Sequence, residues 1–140
     1  MTQLVRGNAE LRVAMTGLGS KTCLVPTMGA LHQGHAALIK AGKELVGKDG
    51  CVVVSDFVNP KQFGVSEDFE KYPHTQAEDT YISEESGANF IWFPTYENLY
   101  PQTPQIISAG NIGKLYEGAS RPGHFDGMLT VVKRYFDLIN

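Results

Sequence analysis

The chain carries no excess of positive charge. Fifteen acidic residues stand against twelve Lys and Arg, a net charge of −3 over 140 residues. A surface of that balance has no electrostatic footprint for a phosphate backbone, so nucleic acid is not an expected ligand. Long apolar runs are missing too. No stretch approaches the roughly 20 residues that cross a bilayer, and the opening MTQLVRGNAE lacks the apolar segment of a secretory leader. No membrane partner is expected, and the cytoplasm is the expected location. Cysteine is scarce: Cys23 and Cys51 lie far apart in the apolar runs TCLV and CVVV. That is the setting of buried free thiols in a reducing compartment, not of a disulfide framework. Repeats, low-complexity tracts and long single-charge blocks are absent, so residues 1–140 read as one continuous folded domain, and 42% hydrophobic residues suffice for a core.

What is present alternates between strand and helix patterns. A short extended start precedes a helical stretch, with Asn8 the expected cap before AELRVAM. The β-rich runs Thr22–Pro26 and Cys51–Phe57 read as strands covered on both faces of a parallel sheet. Between them HAALIKAGKELVGK puts Ala36, Leu38, Ile39, Leu45 and Val46 on one helical face. Asn59–Tyr72 is polar, is broken by Asn-Pro and Phe-Gly, and reads as a surface loop. A second helix is expected after Pro73, ending near Gly87, and a third strand over Asn89–Pro94. NLYPQTPQIISAG suggests an irregular connection with a further short strand. The closing segment from Gly127 to Asn140 shows helical spacing of Leu129, Val132, Phe136 and Ile139. The predicted class is α/β, a Rossmann-like, mostly parallel sheet flanked by helices, with ligands at the carboxyl ends of its strands.

The segment PTMGALHQGHAALI (Pro26–Ile39) places two histidines where the first strand gives way to the helix. Gly29 and Gly34 allow a tight turn and close approach of a ligand. His32 and His35, three apart, can share one face of the first helical turn. A helix start offers unpaired N–H groups and partial positive charge, and two imidazoles there can donate hydrogen bonds or protons to phosphate oxygens as charge develops. That suits phosphoryl or nucleotidyl transfer. Two other readings stand beside it: the histidines cap the helix and the glycines turn the chain, or the pair binds a metal, for which no third or fourth ligand is nearby.

The order Pro-Thr-Met-Gly-Ala-Leu-His-x-Gly-His after a strand resembles the nucleotidyltransferase superfamily with a His-x-Gly-His loop. FVNPKQFG, EDFEKYP, LYP and LYEGASRPGHFDGMLTVV follow in order, and together the blocks resemble the pantothenate synthetases, or pantoate:beta-alanine ligases, from about Cys23 to Ile139. The resemblance implies two steps. ATP and pantoate give pantoyl adenylate and pyrophosphate, and beta-alanine then displaces AMP to give pantothenate. It implies ATP contacts along Pro26, Thr27, Met28, Gly29, Ala30, Leu31, His32, Gln33, Gly34 and His35, with His35 the proton donor to departing pyrophosphate and His32 a second phosphate contact. Gln62 matches a glutamine that holds pantoate and helps place beta-alanine, with Asn59 bracing the loop or turning the chain before Pro60. Met28, Val131 and Val132 match apolar contacts to pantoate, which for the valines competes with helix packing. Glu78 and Asp79 stand where some members place carboxylates near magnesium. A solvated helix face is the preferred account of them, because magnesium is held mainly by phosphates and water. Arg121 and His124 belong to the RPGHF marker, as an anion site or as structural residues.

The chain departs from the family pattern at His74, where arginine is usual, at Asp56, where a hydrophobic residue is usual, and at Met128, usually valine. A charge at Asp56 is costly unless exposed or paired. Family members continue past Asn140 with Lys-, Gln- and Arg-bearing segments and a smaller domain. The resemblance therefore implies little ligase activity for these residues alone, a homodimer for full-length members, and self-association through an uncovered sheet edge here. Two alternatives are a non-catalytic ATP- or pantoate-binding domain and a related nucleotidyltransferase with another acceptor.

Overall fold

The structure is a computed structural model that describes residues 1–19, 21–65, 67 and 69–139. Ser20, Ser66, Asp68 and Asn140 lie outside the described residues, and with them two positions of the loop expected over Asn59–Tyr72 and the last residue of the expected terminal helix. The chain divides into two compact units, Met1–Phe57 with Pro73–Thr95, and Val58–Tyr72 with Tyr96–Asn140.

The first unit runs β1 (Gln3–Val5), α1 (Asn8–Met15), β2 (Thr22–Thr27), α2 (Gln33–Val46), β3 (Cys51–Asp56), α3 (Gln76–Glu85) and β4 (Phe90–Trp92). Its sheet has the order β1-β4-β3-β2 with every pair parallel. This is the parallel α/β sheet expected from the apolar runs. β3 lies inside it, and Cys51 to Ser55 are all buried. The register sets Leu24 beside Val53 and Val54 beside Ile91. Val25, Ile39, Val52, Val54, Ile91 and Phe93 form the core of this unit, so the strand branches meet the inner face of α2.

Two local expectations are corrected here. Asn8 is the first helical residue and Gly7 the cap, and Glu10 in the first turn accepts the N–H of Arg6, the residue before the cap, at 2.9 Å. On α2 the buried residues are Ala36, Ile39 and Gly42, with Val46 packed partly against the core, whereas Leu38 and Leu45 are 59% and 77% exposed. Leu38 and Leu45, seven residues apart, form their own stripe about 100° around the helix from Ile39. Cys51 is buried and Cys23 half-buried, both free, and burial pushes the Cys51 thiol up to about 11.

The second unit holds 3-10 turns at Pro60–Gln62, Phe69–Lys71 and Ile112–Lys114, with α4 (Tyr96–Leu99), α5 (Glu117–Ser120) and α6 (His124–Ile139). The segment read as a surface loop is not uniformly so, since Asn59 and Gln62 are buried. No strand forms over Gln105–Gly110 among the described residues. The Ile107 N–H donates instead to the Thr130 hydroxyl at 3.0 Å and the Ala109 N–H to the Asp126 carboxylate at 2.7 Å, so α6 side chains take donors that a strand partner would need. α6 buries Gly127, Thr130, Val131 and Tyr135, while Phe136 is 58% exposed. The expected stripe is therefore rotated. Its cause is Gly127, where a Cβ would stand 1.9 Å from the Lys61 carbonyl oxygen. The helix docks by its bare backbone on the Pro60–Gln62 turn. Among the described residues no helix is long and apolar enough to cross a membrane.

Candidate functional site

In the first unit the loop from β2 to α2 is tied down by a series of hydrogen bonds. The Thr27 hydroxyl donates to the Ser55 carbonyl at 2.8 Å and accepts the Gly29 N–H at 3.2 Å. Gly29 has φ +79° and Ala30 φ +51°, left-handed values that turn the chain sharply. Their turn aims the next two N–H groups at one carboxylate: Ala30 N–H donates to Asp79 Oδ2 at 3.1 Å and Leu31 N–H to Oδ1 at 2.7 Å. The Thr75 hydroxyl adds a third donor to Oδ2 at 2.9 Å. Asp79 is thus buried and fully engaged, not part of a solvated face, while Glu78 is exposed.

His32 caps α2. Its Nδ1 accepts the Gly34 N–H at 3.0 Å, and the His35 Nδ1 accepts the His32 N–H at 3.3 Å, a capping box built from two imidazoles. The rings lie 4.1 Å apart, centroid to centroid, at 44°. The capping reading and the anion reading are therefore compatible. Because each Nδ1 accepts, each neutral ring carries its proton on Nε2, and both rings offer a donor from their far edge. Burial first, and then the His32 ring, push the His35 pKa down, partly offset by Asp79. His35 is accordingly a neutral hydrogen-bond donor at pH 7. The N–H of Gln33, the first residue of the helix, has no partner among the described residues. Gln33 and His32 are exposed, Met28 and His35 half-buried, and Pro26 lies exposed at the end of the strand.

Asp56, half-buried at the carboxyl end of β3, meets the cost of burial by holding a proton, not by pairing with a cation: burial first, then the Asp79 charge and a hydrogen bond with Asp79, push its carboxyl up to about 7. Asp79's oxygens are occupied by backbone and hydroxyl donors, and no group of three or more His, Cys, Asp or Glu suited to a metal exists among the described residues. The residues present do not fit a protein-held magnesium, and Glu78 and Asp79 do not pair as ligands.

In the second unit Asn59 is wholly buried and holds the Gln62 side chain, donating to its Oε1 at 3.0 Å. His124 Nδ1 donates to the Gln62 carbonyl oxygen at 2.8 Å. Arg121 donates to the Glu67 carboxylate and stacks over Phe63 at 5.9 Å, so the RPGHF segment binds its own unit. Arg121 and the Gly64 N–H hold the Glu67 carboxyl below the usual range. Val131 is buried and Val132 and Met128 half-buried in α6. His74, in the first unit, is exposed. The anchoring role of Asp79, 48 residues from the loop it holds, was not readable from the sequence. Its only local trace is Thr75 one helical turn before it.

The family model for pantoate-beta-alanine ligase matches residues 3–140. A pantothenate synthetase of Streptomyces avermitilis is 48% identical over 139 residues, covering 98% of this chain and 41% of its own length. One from Nocardioides sp. is 46% identical, covering 94% of this chain and 41% of its own. Among solved structures, pantothenate synthetase from Thermus thermophilus superposes with TM-score 0.84 at 40% identity, covering 99% of this chain and 49% of that one. Pantoate-beta-alanine ligase from Francisella tularensis, complexed with beta-gamma ATP and beta-alanine, gives TM-score 0.88 at 34% identity, covering 99% and 54%. The chain spans less than half the length of these two curated relatives.

Proposed function

Because the chain belongs to the pantoate-beta-alanine ligase family over residues 3–140, we propose that it carries the ATP- and pantoate-holding residues for the ATP-dependent condensation of pantoate with beta-alanine. In the first step the pantoate carboxylate attacks the α-phosphorus of ATP and pyrophosphate leaves. In the second the amine of beta-alanine attacks the acyl carbon and AMP leaves. The observation that carries this reading is the helix start of α2, where two imidazoles fixed as Nε2–H donors stand beside the unpartnered N–H of Gln33.

Residues 26–35 take the ATP phosphates in this reading. Charge on the pyrophosphate grows as it departs, so donors already fixed in place stabilise the transition state more than the ground state. A neutral His35 does this by hydrogen bonding, which refines its role from proton donor to hydrogen-bond donor. Gln62 holds pantoate, with Asn59 behind it and Val131, Val132 and Met28 as apolar contacts. Magnesium comes with the ATP phosphates as part of the substrate. The Francisella relative, whose structure holds an ATP compound and beta-alanine, supports this choice of substrates. A homodimer and a cytoplasmic location belong to the same proposal.

Calorimetry with ATP and with pantoate tests it. His35→Ala is expected to weaken ATP about tenfold, the worth of one good charge-assisted hydrogen bond, and to leave pantoate unchanged. Gln62→Ala is expected to do the reverse. If wild type binds neither ligand, the assignment fails.

A further inference from the structure

Asn59 has two amide ends, and backbone groups of fixed polarity tell them apart. The Lys61 N–H can only donate, and it lies 3.3 Å from Oδ1. The Gly127 carbonyl can only accept, and it lies 3.2 Å from Nδ2. The Tyr100 hydroxyl adds a second donor to Oδ1 at 3.2 Å. Burial, aided by the nearby Tyr96, pushes the Tyr100 phenol up to about 12, so it remains a donor at any working pH. With Asn59 so oriented, its second amide hydrogen must meet an acceptor, and the Gln62 Oε1 at 3.0 Å is that acceptor.

The same reasoning then fixes Gln62. Its backbone N–H donates to the Asn59 carbonyl at 3.1 Å and its carbonyl accepts from His124. Its side-chain oxygen faces inward. The amino nitrogen Nε2 has no acceptor among the described residues. We infer that Tyr100 is a positioning residue that, through Asn59, locks the Gln62 amide with its amino group outward, so that Gln62 offers hydrogen-bond donors and selects a ligand carrying an acceptor such as a carboxylate over the matching primary amide. It rests on Gln62 facing pantoate, as proposed above.

Two measurements on Tyr100→Phe test it. Without ligand, the Gln62 side-chain NH2 group is expected to give one pair of NMR signals in the wild type and a second or broadened set in the variant, because losing one of the two donors to Oδ1 lowers the cost of turning Asn59 over against Lys61 and Gly127. With ligand, calorimetry is expected to show the wild type preferring pantoate to pantoamide, and the variant losing about fivefold of that preference, the scale of one neutral hydrogen bond. ATP affinity is expected to stay unchanged, which loss of folding would not allow. An unchanged Gln62 signal pair together with an unchanged pantoate-to-pantoamide ratio overturns the inference and leaves the function standing. If the NMR change appears but wild type binds no pantoate, the function falls and with it the ligand selection assigned to Gln62.

Discussion

The carboxyl groups of Asp56 and Asp79 hydrogen-bond each other directly beneath Gly29. A Cβ at residue 29 would stand 2.7 Å from Asp56 Oδ1 and 3.3 Å from Asp79 Oδ2. The shared proton sits on Asp56, because Asp79 already accepts from three donors. β3 and α3 thus meet through one proton beneath the loop that joins β2 to α2.

That proton makes stability depend on pH. The Asp56 carboxyl rises from its ordinary 3.8 to about 7 on folding, so between those values the folded state binds more protons than the unfolded. Its stabilising effect is complete below about pH 4 and is lost as pH climbs through 7. His35, with its pKa lowered, acts in the opposite sense, contributing above 6.5 and less as pH falls. The Asp56→Asn variant keeps His35 and removes the carboxyl. The wild-type melting temperature is expected to fall relative to Asp56→Asn by about 4 °C or more between pH 5 and 8. Calorimetric scans that show parallel curves for the two proteins would contradict the shared proton.

His32 has two duties that one substitution separates. Asparagine is among the best N-cap residues, so His32→Asn is expected to hold the helix start, with stability within about 0.5 kcal/mol of wild type, while His32→Ala loses about 1 kcal/mol. Neither variant offers an imidazole Nε2–H, so both are expected to bind ATP more weakly by a similar factor. Urea unfolding beside ATP calorimetry checks the pair. Full ATP affinity in His32→Asn would reduce this histidine to a cap.

Gly127 fixes α6 against the Pro60–Gln62 turn, and a methyl group there has no room beside the Lys61 carbonyl. Gly127→Ala is expected to destabilise the chain by about 2 kcal/mol, in spite of alanine's better helix propensity. It is also expected to weaken pantoate more than ATP, since the Gly127 carbonyl is one of the three groups that orient Asn59. Denaturant midpoints and the two affinities test both halves.

Much of the sheet was legible because each strand is a local event. Cys51–Ser55 is a β-branched run whose burial on both faces is inherent in its composition. The histidine pair was legible for a similar reason, since a capping box spans four residues. What escaped depends on partners distant in sequence. Leu38 and Leu45 are exposed because α2 presents Ala36, Ile39 and Gly42 to the sheet, a choice set by β2 and β3 and not by the helix. The stripe of α6 turned because one glycine meets a turn 66 positions earlier. Asp79 looked like a solvated carboxylate for want of any local sign that Ala30 and Leu31 would need an acceptor. Asn59 and Gln62 lay in a polar stretch that reads as surface, and partners as distant as Tyr100, His124 and Gly127 make their burial tolerable.

Histidine at positions 32 and 35 is hard to exchange, and the capping box shows why. Each ring accepts a backbone hydrogen on one edge and leaves a donor on the other. Lysine or arginine would greet a phosphate with more charge but has no acceptor to close the helix. Serine or aspartate would close the helix but cannot span the ring's width. A permanent cation at either position would therefore give up the cap that holds the turn, so gains in charge and losses in shape are coupled at both positions.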